Sequence, residues 1–187
     1  TSVIISEGEV LELANDKNLQ INENVYFEVV NAKTASLFSA ACQVGSISGY
    51  GTQAEVNALK SFGTNFGMTF QLIDDAIDYS SNRQTLGKNI GDDFKEGKIT
   101  LPIILAYGRS NESEKKFWKR TISDLNQAEE DFDKALEIIN KYQCIEDTLT
   151  RANHFSNVAV DSVDIFKNNI YKEKLVSLVT KSVSRIY

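Results

Sequence analysis

Apolar residues recur every three or four positions through Val56, Leu59, Phe62, Phe66, Phe70, Ile73 and Ile77. That period predicts one face of an amphipathic helix over about residues 54–79. Gly63, Gly67 and Gln71 follow at steps of four on the same helix. Glycines there cost helix stability but let another element approach closely. Upstream, Phe27, Val30, Thr34, Leu37, Ala41 and Val44 form a stripe that predicts a long helix from Glu23 to about Gly49. A helix over 3–15 precedes it, across a polar loop at 15–24. Downstream the pattern predicts helices at about 101–108, 112–121, 125–141, 145–167 and 172–186. Leu125, Ala128, Phe132, Ala135 and Ile139 mark one apolar stripe, and Leu149, Ala152, Phe155, Ala159 and Val163 another. Thr100 is placed as an N-cap with Pro102 in the first turn, and Asn168-Asn169 as the turn before the last helix. No long alternating run occurs and there is a single Pro in 187 residues. The expectation is an all-α fold in one helical domain, 1–187.

Composition narrows the class. The net charge of −6 disfavours nucleic acid as a partner. No apolar run reaches membrane-spanning length, and no signal peptide is recognisable, so the expected location is cytoplasmic. Cys42 and Cys144 lack metal-type spacing and read as buried free thiols; His154 has no partner motif. Trp118 reads as packing. Residue 1 is Thr and the only Met is Met68, from which we expect a start inside a longer gene product.

The candidate chemistry sits at the end of the central helix. Gln71 stands three, four and seven positions ahead of Asp74, Asp75 and Asp78, which places all four on one helical face. Like charges at this spacing repel, and a divalent cation relieves the repulsion. Mg²⁺ suits the pattern, because it takes oxygen ligands and bridges one or two carboxylates to substrate phosphates. A bare Asp-Asp-x-x-Asp is more often a solvated surface; here it continues a strongly apolar helix, which favours a lined cavity. The segment that follows carries Gly87-Lys88 and Gly97-Lys98. Glycine lets backbone approach an anion and lysine supplies a mobile charge, although neither pair has P-loop spacing. Lys33 stands beside Thr34 at the margin of an apolar stripe, where a lysine ordinarily snorkels to solvent.

Phe70–Asp78, Gly87-Lys88, Asp92 through Pro102 and the Lys33-Thr34 pair together resemble the trans-isoprenyl diphosphate synthases, most of all bacterial polyprenyl synthases that make quinone side chains. With Gly8-Glu9 in the first helix, the resemblance covers essentially the whole chain. It implies an isoprenoid synthase-type helical bundle, lacking its N-terminal helices, and a homodimer. The implied reaction is a Mg²⁺-dependent condensation of isopentenyl diphosphate with an allylic diphosphate. By resemblance, Asp74, Asp75 and Asp78 hold metal, and Lys33, Lys88 and Lys98 contact diphosphate. Thr34 and Gln71 present oxygens toward the cationic carbon. The family's first aspartate-rich motif and its isopentenyl site are not found here, so the chain alone is expected to be inactive. Two alternatives stand beside this reading. One is a non-catalytic or regulatory partner subunit of a prenyl synthase. The other is a class I terpene cyclase fragment, disfavoured by the two Gly-Lys pairs. The arrangement expected is a cleft shared by the three aspartates and Lys33.

Overall fold

The computed structural model describes residues 1–80 and 91–186. In chain order its helices are α1 (Ser2–Ala14), α2 (Glu23–Val30), α3 (Ser36–Ser48), α4 (Gln53–Asp78), α5 (Asp92–Glu96), α6 (Leu101–Arg109), α7 (Glu112–Trp118), α8 (Asp131–Lys141), α9 (Cys144–Ser162) and α10 (Ile170–Val183). A π-helical turn, Asn31–Ala35, joins α2 to α3, and another, Lys119–Ser123, follows α7. No strand occurs among the described residues, as the sequence pattern predicts.

The longest of these helices, α4, forms the axis of the bundle and packs most extensively against α3 and α9. Its start is fixed by a capping box in which Thr52 and Glu55 satisfy each other's backbone amides. Its buried face carries Leu72, Ile73, Ala76 and Ile77 into a core with Ile103 and Ala106 of α6, Trp118 of α7, Ile139 of α8 and Ala152 of α9. A smaller cluster, Phe62, Ala159, Val163 and Val179, ties α4 to α9 and α10. The α4 glycines serve as their spacing predicts. A Cβ on Gly63 would lie 2.5 Å from the Phe38 carbonyl oxygen, and one on Gly67 2.6 Å from Ala35 Cα.

The π turn changes which face of the Glu23–Gly49 rod looks inward. Tyr26 and Val30 are buried; after the widened turn the buried positions become Ala35, Ser39 and Ser46. A π turn inserts one residue into the helical winding, so the stripe beyond it rotates. Leu37 and Val44, expected on the core face, are 59% and 62% exposed as a result.

Other boundaries shift for local reasons. The helix expected at 125–141 begins only at Asp131, because Leu125 has φ 49°. The Asp131 carboxylate pairs with both terminal nitrogens of Arg120, at 2.8 and 2.6 Å, and accepts the Ala128 amide. The helix expected at 145–167 stops at Ser162. Thr100 occupies the N-cap of α6, yet its hydroxyl makes no cap bond and is buried without a hydrogen-bond partner among the described residues. Trp118 is fully buried and donates to Ser110 Oγ at 3.0 Å, a packing role. Cys144 is buried, Cys42 half-buried, and both are free; His154 is exposed on α9.

Candidate active site

The turn at Asn31–Ala35 lies against α1 and α4, and a cleft of about 460 Å³ opens where these meet. Glu12 and Leu13 come from α1, and Tyr26, Val29 and Val30 from α2. The turn supplies Lys33 and Thr34, and α4 supplies Gln71, Asp74 and Asp75. Asp93, Glu96, Lys98 and Thr100 close the far side. Close packing at Gly8 admits α1: a Cβ there would lie 2.8 Å from Ala32 Cβ and 2.9 Å from the Lys33 nitrogen.

Lys33 therefore shares the cleft with Asp74 and Asp75, as expected, and does not simply snorkel away. Its Nζ lies 2.6 Å from Glu12 Oε2 and 3.3 Å from Glu9 Oε1. Burial lowers the Lys33 pKa, but the two glutamates outweigh it and the net shift is upward, which secures the charge. Thr34 Oγ1 donates to Gln71 Oε1 at 3.0 Å. Gln71 Nε2 in turn donates to Asp75 Oδ1 at 2.8 Å, and the Tyr26 hydroxyl donates to Asp75 Oδ2 at 2.5 Å. Burial pushes the Asp75 carboxyl up to about 7, against these two bonds, which favour the charged form; Asp93 and Asp74 push it further up. Burial, and then Asp75, also raise the Tyr26 hydroxyl, so it stays a donor.

The three aspartates have separate environments. Asp74 is partly open, with Oδ1 3.4 Å from Arg185 Nη2, and the Arg185 guanidinium lies over the Phe70 ring at 5.3 Å. Asp75 is buried with both oxygens engaged. Asp78 is buried and is not among the residues lining the cleft, so the expected cleft of three aspartates is narrowed to Asp74 and Asp75. Its Oδ2 accepts the Asp93 amide at 3.0 Å, because the short α5 returns onto the end of α4. Gly91 and Gly97 flank α5 at φ 77° and 71°, where a side chain would be strained. Lys98 lies at the cleft's edge, 2.7 Å from Glu96 and 3.1 Å from Asp93, and these acids raise its pKa. Gly87 and Lys88 fall outside the described residues.

No group of three or more His, Cys, Asp or Glu among the described residues is arranged to hold a metal ion. An all-protein cage thus does not fit. One open carboxylate, Asp74, does fit a Mg²⁺ ion that keeps most of its waters and bridges to phosphate.

The first of the comparisons with known proteins is decisive: residues 1–139 match the family model described as Polyprenyl synthetase. The chain belongs to this family. An octaprenyl diphosphate synthase from Haemophilus influenzae is 38% identical over 184 residues, 98% of this chain and 56% of that protein. The crystal structure of a polyprenyl synthase from Caulobacter crescentus, complexed with calcium and isoprenyl diphosphate, is 42% identical at a TM-score of 0.93. A decaprenyl diphosphate synthase from Rhodobacter capsulatus superimposes equally well, at 36% identity. Both solved structures cover 100% of this chain, which covers 57% of each. The chain thus spans a little over half the length of the relatives it matches. Its fold is that of the isoprenyl diphosphate synthases.

Sequence reasoning missed Tyr26, Glu12, Asp93 and Arg185 at this cleft of the polyprenyl synthetase chain, and read Glu9 only in the Gly8-Glu9 pair, without a contact to Lys33. Glu9 and Glu12, three apart on α1, left a signal as one acidic face. Asp93 lies in the Asp92–Pro102 segment, where individual roles are read only for Gly97, Lys98, Thr100 and Pro102. Arg185 is 111 residues from Asp74, and no local pattern connects them.

Proposed function

We propose that this chain carries the allylic diphosphate end of a prenyltransferase site, in a protein that condenses isopentenyl diphosphate with an allylic diphosphate. The observation that carries this reading is the meeting of Lys33, Thr34 and Gln71 with Asp74 in one cleft. Names of the relatives, octaprenyl and decaprenyl diphosphate synthases, support a long-chain polyprenyl product such as a quinone side chain. A homodimer and a cytoplasmic location belong to the same proposal; no helix among the described residues is long and apolar enough to cross a membrane.

Lys33 and Lys98 compensate the negative charge of the diphosphate, with Lys88 assigned the same task. Both described lysines pair with acidic partners, Glu12 and Glu96, and exchange them for phosphate oxygens when substrate binds. Mg²⁺ at Asp74 would supply further positive charge for the departing diphosphate, and Asp75 and Asp78 are assigned to orient that end of α4. Thr34 and Gln71 present oxygens to the allylic carbon as it becomes positive. Groups that meet charge developing in the transition state accelerate ionisation, whereas equal binding of substrate does not.

The test is calorimetry of inorganic pyrophosphate with this chain, with and without Mg²⁺. Binding that requires Mg²⁺ and is lost in both K33A and D74N supports the reading. Binding indifferent to Mg²⁺ and to both substitutions overturns it.

A further inference from the structure

Above about pH 7 Asp75 is charged and carries no donor, and both of its oxygens are used. Tyr26 donates to Oδ2 at 2.5 Å, so Oδ1 is left for the amide of Gln71, at 2.8 Å. An oxygen that only accepts requires the nitrogen end of that amide. The carbonyl end, Oε1, must then point the other way, where Thr34 Oγ1 donates to it at 3.0 Å. The orientation of Gln71 is therefore set by a carboxylate on its own helix, and that carboxylate is held in turn by a phenol from α2.

We propose that Tyr26 is a positioning residue: it locks the Asp75 carboxylate so that Gln71 shows its carbonyl oxygen, not its nitrogen, to the reacting carbon. The inference rests on the function proposed above, in which Gln71 faces a developing cation. Polarity decides the outcome there. A carbonyl oxygen stabilises positive charge, and an NH₂ group at the same place opposes it. Unheld, the Asp75 carboxylate turns about its last torsion, whose two-fold preference is broad, and the amide loses the partner that orients it. Tyr26 is buried, at 5% exposure, and lines the cleft from α2. Its ring packs edge-on against Phe27 at 5.5 Å, so the hydroxyl is delivered by a fixed side chain.

Two probes with the same prenyl chain and diphosphate test this, one with a protonated amine in place of the reacting carbon and one neutral. Their affinities are measured by calorimetry with Mg²⁺, at a pH well above the Asp75 value of about 7, on the 187-residue protein, Y26F, Q71L and the double variant, with melting temperatures taken alongside. The wild-type protein is expected to prefer the ammonium probe. Y26F should cut that preference about tenfold, the scale of one lost hydrogen-bonded orientation, and leave the neutral probe's affinity unchanged. Q71L should remove the preference, and the double variant should lose no more than Q71L. If Y26F weakens both probes equally, or keeps the preference that Q71L abolishes, Tyr26 is packing alone and the proposal fails. No preference in the wild-type protein instead defeats the role assigned to Gln71 itself. A second measurement needs no variant of Tyr26. The Gln71 side-chain NH₂, assigned in nitrogen-15 spectra by its absence from Q71L, should be slow to exchange with solvent, and fast exchange overturns the lock.

Discussion

Gly67 lies against Ala35 so closely that a Cβ added to the glycine would stand 2.6 Å from the Ala35 Cα. The neighbour is backbone, so it cannot swing aside. Gly67→Ala gains about 1 kcal/mol of helix propensity, but overpacking of this kind costs about 1–3 kcal/mol, so the cost wins. The same shift separates the Asn31–Ala35 turn from α4 beside the Thr34–Gln71 bond. Gly45 is the control, since its Cβ would meet nothing within 4 Å and it lies on an exposed part of α3. Denaturant unfolding should show G67A less stable than the parent and G45A at least as stable. A stabilised G67A contradicts the packing described.

Arg185 and Asp74 lead to a second expectation. Each side chain is about one-third exposed, so the pair adds little to stability, and R185A should leave the unfolding midpoint nearly unchanged. Its effect falls on cation binding, because the guanidinium meets Asp74, the carboxylate assigned to Mg²⁺. Removing the positive charge should tighten Mg²⁺ binding severalfold, read by calorimetry with pyrophosphate present. Equal or weaker binding in R185A contradicts the competition.

Much of this site was legible in the sequence because it depends on helical geometry. Residues 71, 74 and 75 share a face of one helix, and the glycine spacing announced a close neighbour. The features that escaped depend on backbone irregularity or tertiary proximity. The π turn at Asn31–Ala35 reverses the assignment of Leu37 and Val44, since a pattern of period 3.6 has no means of announcing an inserted residue. Asp78 shares the winding of Asp74, yet the return of α5 covers it. Leu125 reads as a core position in a helical stripe, but φ 49° keeps it out of the helix. Nothing in the helical pattern marks Tyr26; its hydroxyl matters only because Asp75 is opposite.

Asp75 makes stability depend on pH. Its carboxyl titrates at about 7 in the folded protein, well above the ordinary 3.8. The folded state therefore holds this proton more tightly than the unfolded chain does. Its contribution to stability is fully present below about pH 4 and is lost as pH rises through about 7. The loss is on the order of a few kcal/mol, since each tenfold difference in proton affinity is worth about 1.4 kcal/mol. D75N removes the titration while keeping a side chain of the same size. The unfolding free energy of the parent should fall relative to D75N between pH 4 and 7.5. Parallel curves would falsify the assignment.

The last expectation concerns association. On α1, Val3, Val10 and Leu13 are 69%, 65% and 71% exposed, and they recur at helical spacing. Leu37, Val44 and Ile47 form a second exposed stripe on α3, created by the rotation at the π turn. Scattered apolar residues on a surface need no explanation, but two periodic stripes mark surfaces that bury themselves against something. Self-association through the α3 stripe is the economical outcome, because each copy brings the same face and a two-fold axis makes it self-complementary. Sedimentation over a hundredfold concentration range should show a dimer or larger species. Val44→Glu places a charge in the middle of that stripe and should shift the equilibrium toward monomer, with the melting temperature of the monomeric fold preserved. A protein that stays monomeric and unfolds cooperatively across the whole range, with or without the substitution, sinks this expectation.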